Sequence, residues 1–225
     1  MNIYCFAGPN GSGKSTIVNN FINENQLGNI PFVNADIIAR NEKLAHIGDY
    51  FARNKFAADI AESLRNYYLE NNQDFIFETV MSHPSKIEFL ERAKIQGCNI
   101  HLVYVITQSP DINVARVAKR VSEGGHDVPE DKTRARYARC LELLPRVLEI
   151  ADDAIIYDNS LDFQTMLSAL KSKEGILYLY GNSEFIQNKI VTPYSEQSNA
   201  KTVYVGDIVD LQSRNIYKIE DFIPD

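Results

Sequence analysis

The stretch Gly8-Pro9-Asn10-Gly11-Ser12-Gly13-Lys14-Ser15 constrains this chain more than any other. It carries a glycine, four free positions and then Gly-Lys-Ser. It stands between a short apolar run, Asn2 to Ala7, and a segment from Lys14 to about Asn25 whose Ile17, Val18, Phe21 and Ile22 share a helical face. At average residue usage a chain of this length matches the four fixed positions by chance about once in a hundred. Glycines at this spacing let backbone N–H groups turn inward around a phosphate, and the helix that follows adds its positive end. Lys14 is expected to reach the β and γ phosphates of a nucleoside triphosphate and the Ser15 hydroxyl to bind Mg²⁺, with Gly8 through Thr16 forming the nucleotide loop. The alternative is a glycine-rich turn that only caps a helix.

Strand and helix patterns alternate through most of the remaining sequence. Pro31 to Val33, Phe75 to Phe77, Asn99 to Ile106 and Ala154 to Tyr157 read as strands. Asp49 to about Tyr68 has helical apolar spacing at Ala57, Ile60, Ala61, Leu64, Tyr67 and Tyr68. Pro84 and Pro110 open further helices, and Pro129 with Glu130 and Asp131 opens one carrying Tyr137, Leu141, Leu144 and Leu148 on one face. Pro145 predicts a kink or split in that helix, and Phe163 to Leu170 reads as the next helix. The sum is an α/β fold with a five-stranded, mainly parallel sheet covered on both faces. Past Gly175, Ile176 to Tyr180 and Thr202 to Val209 read as strands around a polar, uninformative stretch, Gln187 to Ala200. Residues 1–174 are therefore expected to form the main domain, with a lid at about 110–150, and 175–225 a small β appendage packed on it.

Charge narrows the partners. The 225 residues hold 23 Lys and Arg against 30 Asp and Glu, a net charge of −7, which argues against a chain-wide grip on nucleic acid or an anionic membrane. No run approaches the length of a transmembrane helix, and the Met1-Asn2-Ile3 start lacks the basic residues of a secretory signal, so a cytoplasmic location is expected. Cys5, Cys98 and Cys140 lie far apart and read as buried free thiols rather than zinc ligands.

Two features decide between hydrolase, switch and kinase. Asp36 directly follows the second strand in Phe32-Val33-Asn34-Ala35-Asp36, and Glu78-Thr79 ends the third. Both carboxylates should meet the phosphate loop at the carboxyl edge of the sheet. Two carboxylates facing a γ-phosphate suit a small-molecule kinase, one taking the proton of an acceptor hydroxyl and the other holding the acceptor. Capping the helix before Ile37 is the alternative for Asp36. The second feature is cationic: Arg116 to Arg146 carries eight basic residues against five acidic, +3 locally, leaving −10 for the rest of the chain. Arg116 and Arg120, then Arg136 and Arg139, sit at helical spacings on either side of Gly124-Gly125-His126, which describes a lid closing on a triphosphate. For Arg134, Arg139 and Arg146 a surface role paired to glutamates is the stronger expectation, and His126 reads as a turn or lid-packing residue. A nucleotide-dependent switch stays open as a different class, and so does a kinase for another hydroxyl compound such as a nucleoside, sugar acid or antibiotic.

Gly8 to Thr16, Asn34-Ala35-Asp36 to Arg40, Phe77-Glu78-Thr79, Arg116 through Gly124-Gly125-His126-Asp127-Val128-Pro129 to Arg136-Tyr137, and Tyr157-Asp158-Asn159-Ser160 together resemble the zeta toxin family in its shorter branch, over roughly residues 1 to 172. The resemblance implies a three-layer P-loop kinase fold with a helical, arginine-bearing lid. It implies ATP or GTP as donor with Mg²⁺, the 3′-hydroxyl of a UDP-N-acetylated amino sugar such as UDP-N-acetylglucosamine as acceptor, and a separate small antitoxin as partner. Carried over motif by motif, Lys14 and Ser15 hold triphosphate and Mg²⁺, Asp36 is the base, Glu78 and Thr79 contact the sugar, and Arg120 and Arg136 are the lid cations. Asn34 and Arg40 are further acceptor contacts. Val80 stands where the branch often has a second threonine and Cys140 where it often has serine.

Overall fold

In the computed structural model, residues 1–206 and 209–210 are described, apart from Gln26 and Phe163. β1 (Asn2–Ala7) leads through the glycine loop into α1 (Lys14–Glu24). Then follow β2 (Phe32–Val33), α2 (Ala35–Ala39), a 3₁₀ turn at Glu42–Leu44, α3 (Tyr50–Glu70), β3 (Phe75–Thr79), α4 (Pro84–Ile95) and β4 (Asn99–Ile106). The lid helices α5 (Pro110–Ser122) and α6 (Glu130–Ile150) come next. After them β5 (Asp153–Leu161) and β6 (Gln164–Lys171) form a hairpin. β7 (Leu177–Tyr180), α7 (Glu184–Ile186), a π-turn (Gln187–Val191), α8 (Thr192–Ser198), β8 (Thr202–Gly206) and β9 (Val209–Asp210) complete the described chain.

Among the described residues the strands form one sheet in the order β2-β3-β1-β4-β5-β6-β7-β8, with β9 paired to β6. β2 through β5 pair in parallel, as the alternating strand and helix pattern requires. The sheet is thus wider than the five strands expected. Gln164–Lys171, which overlaps the Phe163 to Leu170 stretch expected to be helical, is a strand antiparallel to β5. Its buried residues run without a break from Leu167 to Lys171. A strand covered on both faces loses the period-two signal that would have marked it. β7 and β8 continue the same sheet, and the polar stretch between them folds as α7, the π-turn and α8, which bury Ile186, Ile190, Val191 and Tyr194 in the main core. Of the expected appendage, 207–208 and 211–225 lie outside the described residues.

Alternate residues of the central strands feed two cores. Ile3, Cys5, Phe75, Phe77, Ile100 and Tyr104 pack under α3, α4 and α6, whereas Phe6, Ile76, Val103 and Val105 pack under Ile17, Val18 and Phe21 of α1. All three cysteines are buried and free. α6 runs through Pro145 unbroken, in contrast to the expected split, because Leu144, Pro145, Val147 and Leu148 are all buried against the core. Tertiary packing outweighs the one hydrogen bond that proline forfeits. No helix among the described residues is long and apolar enough to cross a membrane.

Candidate active site

A crevice of about 550 Å³ opens at the carboxyl ends of β1, β2 and β3, lined by loop residues Asn10, Gly11 and Gly13 to Thr16, by Asn34, Asp36, Glu78 and Thr79, and by Arg116, Arg120, His126 and Arg136 of the lid. The phosphate loop is braced from behind. Asn113 of α5 donates to the Asn10 carbonyl at 2.5 Å and accepts from the Thr107 hydroxyl, while Asn159 of β5 donates to the Ser12 carbonyl at 2.8 Å. Gly13 has φ +92° and Asn159 so close that a Cβ would lie 2.3 Å from the Asn159 amide nitrogen, so only glycine fits.

Lys14 is buried and its ammonium donates to the Pro9 carbonyl at 2.8 Å, folded over its own loop. Burial pulls its pKa down, and the nearby Glu78 carboxylate opposes that. Ser15 donates to Glu78 at 3.2 Å. Burial raises the Glu78 pKa, against the pull of Lys14 and the hydrogen bonds from Ser15 and Asn34. Asn34 uses both ends of its amide: Nδ2 donates to Glu78 at 2.7 Å, and Oδ1 accepts from the Asp36 and Ile37 backbone N–H groups at 2.8 and 3.2 Å. Asn34 therefore caps α2, which frees Asp36 from the capping role considered for it. The Asp36 carboxylate is exposed in the crevice with no hydrogen bond or ion pair to any described residue.

The arginines sort by partner. Arg134 pairs with Asp111 at 2.7 Å and Glu130 at 2.9 Å, Arg146 with Glu91 and Glu149 at 2.6 Å each, and Arg139 donates to the Ser82 carbonyl. Arg116 lines the crevice but is tied to the Asn159 carbonyl at 2.6 Å and to Asp162. Arg136 touches Asn10 of the loop at 3.2 Å. Arg120 is different: its Nε and Nη2 are buried with no hydrogen-bond partner. Arg40 caps the end of α2, is exposed and does not line the crevice.

The bend between the lid helices fixes Arg120. Gly125 N–H donates to the Arg120 carbonyl at 2.8 Å and Gly124 N–H to that of Val121 at 2.9 Å, with Gly124 at φ +81°, a Schellman ending for α5. His126 hydrogen-bonds the Tyr50 hydroxyl across the crevice mouth, joining lid to α3, and its burial lowers its pKa. A Cβ on Gly125 would sit 2.5 Å from Cγ and 2.9 Å from the carbonyl oxygen of Arg120, whereas one on Gly124 meets nothing within 4 Å. Gly125→Ala is thus expected to displace Arg120 and lower single-turnover phosphoryl transfer about tenfold or more. Gly124→Ala should cost about 1 kcal/mol of stability through its positive φ and leave that rate alone; equal rates in the two variants would contradict the fixing role of the bend.

Sequence reasoning missed Asn54, Arg65, His83 and Lys86, which also line the crevice. Arg65 had a signal: it follows Ala57 and Ala61 at four-residue steps on the buried row of α3, a charged residue where the pattern asks for an apolar one.

A parallel sheet in the order β2-β3-β1-β4-β5, a glycine loop at the edge of β1 and a helical lid carrying arginines define the class of P-loop kinases. The zeta toxin family model matches residues 2–170, and the chain belongs to the zeta toxin family. An uncharacterized protein of Haemophilus influenzae is 32% identical over 136 residues, 60% of this chain and 89% of that protein. Among solved structures, the PezAT chromosomal toxin–antitoxin system of Streptococcus pneumoniae superposes with a TM-score of 0.54 at 18% identity, over 69% of this chain and 67% of that one. The AvrRxo1-ORF1:ORF2 complex with ATP does so with a TM-score of 0.60 at 14% identity, over 77% of this chain and 59% of that one.

Proposed function

We propose that this protein transfers the γ-phosphate of ATP or GTP to a hydroxyl of a UDP-N-acetylated amino sugar, with the 3′-hydroxyl of UDP-N-acetylglucosamine as the leading acceptor. The observation that carries the transfer is Asp36: a carboxylate freed by the Asn34 cap, without a partner among the described residues, in one crevice with Lys14 and the unpaired guanidinium of Arg120. Family membership supports the choice of acceptor, and the ATP of the AvrRxo1 complex supports a nucleotide donor.

The donor set fits Mg²⁺. The Ser15 hydroxyl and the Glu78 carboxylate beside it are hard oxygen ligands, and among the described residues no group of three or more His, Cys, Asp or Glu could hold a metal by itself. A cation would then lean on Ser15 and on the nucleotide's own phosphates, as Mg²⁺ does. It would neutralise charge on the phosphate oxygens. The protein's own groups do the rest. Loop N–H groups and Lys14, released from Pro9, hold the phosphates, and Asp36 takes the proton as the acceptor oxygen attacks the γ phosphorus. The bond from that phosphorus to the β–γ bridging oxygen breaks, giving a nucleoside diphosphate and a phosphomonoester. Arg120 and Arg136 balance the charge in transit, while Glu78 and Thr79 contact the sugar. Val80 offers no hydroxyl, and its carbonyl accepts from the Cys140 thiol. Both substrates are cytoplasmic metabolites, so the proposed site of action is the cytoplasm. A separate antitoxin protein is the proposed partner, as in the PezAT system.

Incubation with Mg-ATP and UDP-N-acetylglucosamine, followed by phosphorus NMR, is expected to show a new phosphomonoester on the nucleotide sugar. Absence of that signal from protein that still binds nucleotide would rule out this acceptor.

A further inference from the structure

The crevice extends along α3, where Asn54, Ala58, Ala61 and Arg65 form one wall and Lys86 of α4 contributes to another. Arg65 is only 4% exposed. Its guanidinium lies over the faces of Phe77 and Phe89, 5.6 and 5.7 Å from the ring centroids, and its Nε is buried with no hydrogen-bond partner. No described residue gives it a hydrogen bond or ion pair. Glu62, one turn earlier and exposed, lies 3.8 Å from Lys86 and acts on Arg65 through space, without a hydrogen bond.

A buried guanidinium is normally paired, because desolvating its charge costs far more than two ring faces return. Burial presses the pKa of Arg65 down, and that of Lys86 as well, with Arg65 adding to the pressure on Lys86; the exposed Glu62 carboxylate opposes part of this at both. An anion between them would relieve both. Ala58 and Ala61 line the same wall with small side chains, and no described acidic residue hydrogen-bonds or ion-pairs with Arg65.

We propose that Arg65, assisted by Lys86, anchors an oxyanion carried by the acceptor, separate from the phosphoryl group being transferred, so that the acceptor is itself a small anionic molecule. The inference rests on the kinase reading of the same crevice. For a nucleotide-sugar acceptor the anchored group is the diphosphate; for a sugar acid it is the carboxylate. A neutral sugar leaves Arg65 unpaired and binds poorly, so this wall selects the acceptor while Asp36 and the phosphate loop serve the reaction.

Calorimetry with the full chain, Mg²⁺ and a non-hydrolysable ATP analogue keeps the phosphate loop filled while probes are compared: UDP-N-acetylglucosamine and UDP for the diphosphate, gluconate for the carboxylate, N-acetylglucosamine and uridine as neutral controls. At least one anionic probe is expected to bind, and Arg65→Met to weaken it about 10- to 100-fold, with a smaller loss for Lys86→Met and partial recovery for Arg65→Lys. The neutral probes should not distinguish wild type from variants. Arg65→Met removes no hydrogen bond and should melt no lower than wild type. Anion binding that depends on Arg65 without phosphorylation of UDP-N-acetylglucosamine would remove the proposed acceptor and keep the anchor. Phosphorylation of UDP-N-acetylglucosamine with the same acceptor KM in wild type, Arg65→Met and Lys86→Met would keep the acceptor and overturn the anchor. Failure of every anionic probe to bind wild type would overturn it too, as would an Arg65→Met that melts well below wild type beside a Lys86→Met that binds anions normally.

Discussion

Asp36→Asn is expected to leave nucleotide affinity within about threefold of wild type while lowering turnover by about 10² to 10⁴, the span usual for loss of a general base. The asymmetry follows from how the carboxylate is held. Asp36 sits in the first turn of a five-residue helix whose cap is Asn34, and the cap bonds go to the backbone N–H groups of Asp36 and Ile37 rather than to the carboxylate. Asparagine at 36 keeps those N–H groups and the size of the side chain, and changes only its ability to accept a proton. In the proposed reading nucleotide affinity rests elsewhere, on the loop N–H groups and Lys14. Titration calorimetry with a non-hydrolysable analogue, set beside rates at saturating acceptor, separates the two quantities. Parallel loss of affinity and rate would move Asp36 into a structural or cation-holding role. Asn34→Ala is the companion case. It removes the α2 cap and the 2.7 Å bond to Glu78 together, so it should lower both thermal stability and turnover.

The part of this site that the sequence exposes is the part made of neighbours in sequence. Gly8 to Ser15 needs only its own glycines and the flanking strand and helix, and the parallel core follows from short apolar runs between amphipathic segments. What the sequence hides is the set of partners: the pattern already separates Arg120 and Arg136 from the surface arginines Arg134 and Arg146, but not that Asp111 and Glu91, from other helices, join Glu130 and Glu149 in holding them. Those pairings depend on helix packing angles that no spacing rule supplies. β6 was hidden for a related reason: Met166, Leu167 and Leu170 fit a helical face as well as a strand, and only the hairpin with β5 decides the matter. The capping question at Asp36 turned on a single amide two residues earlier, since Asn34 and Asp36 both suit the position and local preference does not rank them.

Arg120→Ala should carry the other large effect, a fall in turnover of about 10³ or more with nucleotide affinity weakened only severalfold. The ground state makes little use of this arginine, because its Nε and Nη2 are buried without a hydrogen-bond partner. Such donors cost free energy until an anion reaches them. The Gly125 N–H bond to the Arg120 carbonyl fixes the Arg120 backbone, and the absent Cβ of Gly125 leaves room for its side-chain stem, so part of the cost of placing the guanidinium is met by the fold before substrate arrives. In the proposed transfer, charge that develops on the phosphoryl group would then meet donors already in place. Arg136, bonded to the Asn10 side chain at 3.2 Å, must give up that bond to act, so Arg136→Ala should weaken binding and rate more evenly. Pre-steady-state measurement of the chemical step in both variants checks the contrast. A rate constant for Arg120→Ala within about threefold of wild type at saturation would mean that the unpaired guanidinium serves the closed shape of the lid and not the transfer.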